Sequence, residues 1–297
     1  MTDQAMTNQA MTDQAMTDQA MTDQDWRALN KANWNERVPI HLAAPNDYDQ
    51  TPLRNGTARL ESIASAAIGP VAGLNILHLQ CHFGMDSLTI AQQGASVVGV
   101  DFSEPAIVAA RALAVELGLH DRSRFIEADL YGAPSALPEP GGFDRVFVTW
   151  GALNWLPDIA GWARVVAYFL KPGGWLALAE AHPAAYVFDD AMRTPDGMPG
   201  WYVPYLGRTA IMEDRPEDYA DPSAVLTNSR FVEWLHPLSD IVMGLLGAGL
   251  RLEFLHEHDT VRWKMFDCLV PDGRGGFRWP DKPWLPLSYS LRASKPA

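Results

Sequence analysis

Five short apolar runs recur along the middle of the chain, and their spacing constrains the fold more than any other feature. They are NILHL (75–79), SVVGV (96–100), RFIEA (124–128), DRVFVTW (144–150) and WLALAEA (175–181). Between them lie longer amphipathic stretches, SLTIAQQG, EPAIVAARALAVELG and DIAGWARVVAYFLKPGG. Gly94, Gly118 and Gly173–Gly174 stand where such helices should stop, and Pro172 reinforces the last stop. A buried strand, a helix and another strand every ~20–30 residues is the pattern of right-handed βαβ units in a parallel sheet. The expected class is therefore α/β, a doubly wound, mostly parallel, Rossmann-like sheet. A further helix over 237–249 and two strand candidates, 251–263 and 285–293, complete it.

The flanks read differently. Residues 1–25 are a five-residue unit, MTDQA with small variations, repeated five times. A period of five matches neither helix nor strand, and Met and Ala alone cannot offset the ordering entropy, so this leader is expected to be disordered. The body then runs from 26 to 297 as one domain. Trp26, Leu29, Trp34, Val38 and Ile40 predict an N-terminal helix, followed by a polar connector (44–56) and a second helix over about 58–67. The cofactor half is expected over about 70–182. The stretch 183–235 loses the alternation and is rich in Pro, Asp, Trp and Tyr, which suggests a packed, lid-like insertion.

Charge narrows the partners. The 297 residues carry a net charge of −13, and the five aspartates of the leader leave −8 on the remaining 272. An acidic body without a basic run argues against a nucleic-acid surface, which needs clustered Lys and Arg. No apolar stretch approaches the ~20 residues of a membrane span, and no basic segment followed by an apolar run opens the chain. Two cysteines, Cys81 and Cys268, cannot make a disulfide framework. A reduced cytoplasmic protein with a small-molecule partner is the expectation; oligomeric state is not legible.

In a doubly wound sheet, ligands bind outside the carboxyl ends of the strands. The residues there are Gln80-Cys81-His82-Phe83-Gly84-Met85-Asp86 after the first run, Asp101-Phe102 after the second, Asp129-Leu130 after the third and Trp150-Gly151 after the fourth. An acid closing the second strand, about 20 residues beyond a turn, can accept both hydroxyls of a ribose. A second acid between apolar Ala128 and Leu130 can hold an adenine amino group.

With LHLQCHFGMDSL, GVDFS, WLPD and EAHP in this order, residues 75–182 resemble a class I S-adenosylmethionine-dependent methyltransferase, of a bacterial group acting on small molecules. The likeness extends to WNERVPIH (34–41) and LPLSYSLRASKP (285–296). It implies a seven-stranded sheet with the last strand antiparallel, and S-adenosylmethionine at the ends of the first three strands. Gln80, Cys81, Phe83 and Gly84 would line the methionine side, Asp101 and Phe102 the ribose, Asp129 and Leu130 the adenine, with Trp150 beside them. The commoner turn of such enzymes is an acid followed by alternate glycines; here those positions are His78, Gln80, His82 and Gly84. His82 should narrow or reorient the turn, which a sulfonium cofactor tolerates better than a pyrophosphate does. Two alternatives stay open: a cofactor-binding scaffold without activity, and a nicotinamide oxidoreductase, disfavoured by the missing GxGxxG.

Candidate bases are Glu180 and His182 at the end of the fifth strand, and His82 in the turn. Trp201, Tyr202 and Tyr205 of the insertion, with Trp34 and His41 of the N-terminal helix, are expected to form the acceptor pocket. His256 and His258 share one strand face with no further ligand nearby, so no metal site is expected.

Overall fold

The computed structural model describes residues 23–44 and 48–297. Of the leader expected to be disordered over 1–25, residues 1–22 lie outside the described ones, whereas Asp23–Asp25 are helical and open the first helix, a correction to that boundary. Helix α1 (Asp23–Ala43) runs through Pro39 to His41. A short helix, Thr51–Arg54, lies in the connector, and α2 (Ser62–Ile68) follows. That second helix starts four residues later than the apolar spacing suggests. The side chain of Glu61 accepts hydrogen bonds from the N–H groups of Ile63 and Ala64 and so sets the start.

The predicted α/β architecture is present. Strands β1 (Asn75–Leu79), β2 (Ser96–Asp101), β3 (Ser123–Glu127), β4 (Phe143–Thr149) and β5 (Leu170–Ala181) alternate with helices α3 (Met85–Gln92), α4 (Glu104–Glu116) and α5 (Ile159–Phe169). The insertion holds a hairpin of β6 (Ala210–Asp214) and β7 (Arg230–Trp234), and α6 (Leu238–Gly247), β8 (Arg251–His258) and β9 (Ser288–Ser294) follow. The seven-stranded sheet has the order β8-β9-β5-β4-β1-β2-β3. The pairs among β1 to β5 are parallel, and β9 alone runs antiparallel, between β8 and β5.

Each central strand feeds both faces of the sheet. Leu77, Leu79, Val146, Val148, Leu176 and Leu178 pack with Trp162, Val166 and Phe169 of α5 and with Ile241 and Leu245 of α6. Ile76, Val97, Phe147, Ala177 and Ala179 pack with Ala64, Ala67 and Ile68 of α2 and Ile90 of α3. Burial on both faces explains the unbroken apolar runs in the sequence. The strand order reverses between β1 and β4, and there the loops after neighbouring strands diverge and leave a crevice.

Candidate active site

A cavity of about 230 Å³ occupies that crevice. Its wall contains Gln80, Cys81, Phe83, Gly84, Asp101, Phe102, Asp129, Leu130 and Trp150, all nine residues read from the sequence as cofactor-binding, together with His82 and Trp34.

The turn after β1 keeps the backbone of a glycine turn although glycine occupies one position only. Gln80 (φ 56°), His82 (φ 51°) and Gly84 (φ 80°) are all left-handed. For residues with a Cβ this conformation costs ~1–2 kcal/mol each. The side chains are steered away from the turn: Gln80 Nε2 donates to the carbonyl of Ala152 at 2.7 Å, and the His82 ring packs against Phe83 and Trp34. Gln80 and His82 thus follow, under strain, a left-handed path that glycine adopts freely. Gly84 remains because a Cβ there would lie 2.6 Å from Cε1 of Phe125.

Asp101 ends β2 with one oxygen bonded to the turn and the other to its own loop. Oδ2 accepts from His82 N at 2.8 Å and Oδ1 from Ser103 N at 2.9 Å. Burial pushes its carboxyl up to about 6, against the N–H donors that hold it down. Each oxygen keeps a lone pair for a ligand hydroxyl. Ser103 Oγ accepts from Ala106 N and caps α4, so Asp101 is not needed as the cap. Asp129 accepts from Tyr131 N at 3.0 Å and pairs with Arg27 Nε at 3.4 Å. Cys81 is buried, and burial followed by the charge of Asp101 pushes its thiol up, which suits a packing residue.

The roof is α1 clamped to the insertion. Asn30 exchanges two 2.8 Å hydrogen bonds with the backbone of Val232, as a strand neighbour would. Asn33 Nδ2 donates to Asn228 O at 2.7 Å, and Glu36 accepts from the N–H groups of Thr227 and Asn228 at 2.7 Å. Arg37 and His41 both reach Asp218. Beneath this zipper Trp34 meets His82 and Trp155 edge-on, with ring centroids 5.4 and 5.2 Å apart.

Other sequence candidates lie elsewhere. Glu180 is buried beneath the loop after β4 and accepts from Gly151 N, Ala152 N, Leu153 N and Ala181 N at 2.7, 2.5, 3.1 and 3.1 Å. That arrangement anchors a loop and leaves no oxygen for the cavity. His182 Nε2 lies 2.9 Å from Glu257 of β8, and Nδ1 accepts from Ala184 N. Trp201 is 75 % exposed and packs on Phe188, Tyr202 donates to Glu213, and Tyr205 Oη accepts from Leu238 N. None of these five lines the cavity. His41 sits one layer behind it, stacked on Tyr48 at 4.7 Å.

Sequence reasoning missed Tyr48, Tyr219, Asp86, Thr149, Trp155 and Arg262, which do line it. Tyr48 and Tyr219 join hydroxyl to hydroxyl across the roof. Thr149 Oγ1 donates to Asp86 Oδ2 at 3.4 Å, and Arg262 stands exposed at the mouth. Burial raises the Asp86 carboxyl, and Arg262 counters it. Asp86 was legible as the last residue of the turn motif; Tyr48 and Arg262 lie in segments read as connector and strand. Among the described residues no group of three or more His, Cys, Asp or Glu side chains is arranged to hold a metal. No helix of the described residues is long and apolar enough to cross a membrane.

Residues 76–174 match a family model described as a methyltransferase domain. An S-adenosylmethionine-dependent methyltransferase from Mesorhizobium loti superposes with a TM-score of 0.54 at 22 % identity, over 78 % of this chain and 95 % of that one. The fold is the Rossmann-like methyltransferase fold. Among curated relatives, a demethylmenaquinone methyltransferase from Clavibacter sepedonicus is 35 % identical over 47 % of this chain and 54 % of its own length. A ubiquinone biosynthesis O-methyltransferase from Pseudomonas aeruginosa is 35 % identical over 40 % of this chain and 50 % of its own length. The chain therefore spans about half the length of these relatives.

Proposed function

We propose that the protein is an S-adenosylmethionine-dependent methyltransferase acting on a small molecule. The observation that carries this reading is the coincidence of the strained turn, Asp101 and Asp129 on one cavity wall. The residues present suit the cofactor. Gln80 Oε1 and Trp150 Nε1 are buried in that wall without a hydrogen-bond partner, so the wall has polar capacity left for a ligand. Asp101 would take the ribose hydroxyls, and Ala128, Asp129 and Leu130 the base. Asp86 and Arg262 offer one charge of each sign, the complement of a zwitterionic amino acid.

When bound, the cofactor supplies a methyl group already activated by its positive sulfonium. The chain then has to align an acceptor with that methyl, exclude water and take up a proton where one is lost. The strained turn places backbone against the ligand, Glu180 fixes the loop bearing Trp150, and the α1 roof closes the acceptor side. The GxGxxG turn against which a dinucleotide's pyrophosphate packs is missing here, which disfavours the dinucleotide alternative.

Titration calorimetry with S-adenosylhomocysteine and with NADH tests the reading. Binding of the first and not the second is expected. The reverse result would replace methyl transfer by hydride transfer, and binding without turnover on any acceptor would favour an inactive scaffold.

A further inference from the structure

Cofactor binding leaves one buried polar cluster without a task. Asp218 of the insertion has a fully buried side chain; its Oδ2 accepts from Arg37 Nη1 at 2.7 Å and faces His41 Nε2 at 3.1 Å. Its Oδ1 accepts from Ala220 N and Asp221 N at 2.8 and 3.3 Å. The carboxylate only accepts, so Nε2 of His41 carries a hydrogen toward it, and Nδ1 is the ring's other nitrogen. That Nδ1 is buried and has no partner. The His41 ring stands edge-on to His82, with centroids 5.2 Å apart. His82 in turn keeps Nε2 buried and unpartnered on the cavity wall.

A bare buried nitrogen costs ~1–3 kcal/mol, and the turn carries His82 at a strained φ of 51° in addition. A structural core gains nothing from that combination, because glycine would relieve both penalties. Around His82 the acceptor side of the cavity is formed by Trp34, Tyr48, Trp155 and Tyr219, planar walls without a charged side chain.

We infer that His82 is the catalytic base for an aryl hydroxyl acceptor, and that His41 and Asp218 are positioning residues holding it ready. This rests on the methyl-transfer reading above and deepens it to a substrate class. In the step, the acceptor hydroxyl gives its proton to Nε2 of His82. Its oxygen forms a bond to the methyl carbon while the carbon–sulfur bond breaks with its electron pair going to sulfur. The ring nitrogen becomes protonated and returns its proton to solvent after product leaves. An acceptor that enters already ionised, such as an aryl thiolate, needs no such base.

The test uses the full chain, His82→Gly and His41→Gln, with catechol and thiophenol as acceptors. Glycine suits the left-handed position and keeps the backbone N–H for Asp101, so His82→Gly should fold at least as well as wild type. Its affinity for S-adenosylhomocysteine, and the affinity of that complex for catechol, should stay within about 3-fold by calorimetry. Its kcat on catechol should fall about 100-fold or more, the usual worth of a general base, while thiophenol methylation holds within a few-fold. Added imidazole should restore catechol turnover, and His41→Gln should lower kcat on catechol alone. Failure to bind S-adenosylhomocysteine would overturn the methyl-transfer reading itself. Binding with no transfer to catechol, equal loss on both acceptors, or no imidazole rescue would overturn the assignment of His82.

Discussion

Glu180→Gln separates an anchor from a base. The carboxylate is 3 % exposed and accepts four backbone N–H groups, two on each oxygen. Glutamine keeps one accepting oxygen and turns an NH₂ toward the other two donors. Two buried N–H groups lose their partner, at ~1–3 kcal/mol each, so the total is about 2–6 kcal/mol. That is a large part of the ~5–15 kcal/mol that holds a domain together. Burial raises this carboxyl and the four donors counter it, so part of the ionised carboxylate's advantage is already offset and the lower half of the range is expected. Urea unfolding monitored by circular dichroism measures the loss. Because Gly151 and Ala152 line the cavity, affinity for S-adenosylhomocysteine should fall together with stability. A variant that unfolds within about 0.5 kcal/mol of wild type and binds S-adenosylhomocysteine normally, yet transfers no methyl, would refute the reasoning and return Glu180 to catalysis.

Gly84→Ala should cost about 2–4 kcal/mol, from the left-handed φ and from the overlap of its Cβ with the buried Phe125 ring, and a thermal melt within 1 °C of wild type would contradict that. Arg37→Ala strips a buried carboxylate of its cation at ~3–5 kcal/mol and loosens α1. Hydrogen exchange should then rise across residues 26–43, and unchanged protection would argue against the roof. Burial, then the neighbouring Glu213, pushes Glu233 up to about 7 from its ordinary 4.5. A carboxyl raised on folding contributes stability that is complete below pH 4.5 and lost as pH rises through 7. Wild type should therefore weaken across that window relative to Glu233→Gln, and parallel urea midpoints would show that Glu233 does not titrate there.

How much of this was legible follows from what each signal encodes. The run 75–79 coincides with β1 because a strand buried on both faces must be apolar throughout, and its neighbours Gly73 and Gln80 interrupt it. Asp101 and Asp129 were placed by strand parity alone, since a parallel sheet brings every strand's carboxyl end to one side. The left-handed turn at Gln80 and His82 was not legible, because nothing in either side chain announces a positive φ. The hairpin of β6 and β7 was read as loop. Its other partner is the side chain of Asn30, some 200 residues away, which leaves no local period. Aromatic content in the insertion signalled packing without direction: Trp201, Tyr202 and Tyr205 pack outside the cavity, whereas Tyr219 enters its wall. Glu180 and His182 looked catalytic because they end a strand on the right side of the sheet, but the side chains turn into the loops they brace.

The central claim is that this cavity holds S-adenosylmethionine through Asp101. Calorimetric titration of S-adenosylhomocysteine into wild type and Asp101→Ala measures it directly. The account predicts one site on wild type and an affinity at least 100-fold weaker in the variant, two charge-assisted hydrogen bonds of ~1.5–3 kcal/mol each being lost. Equal affinity in a folded Asp101→Ala, or no binding to wild type, would contradict it.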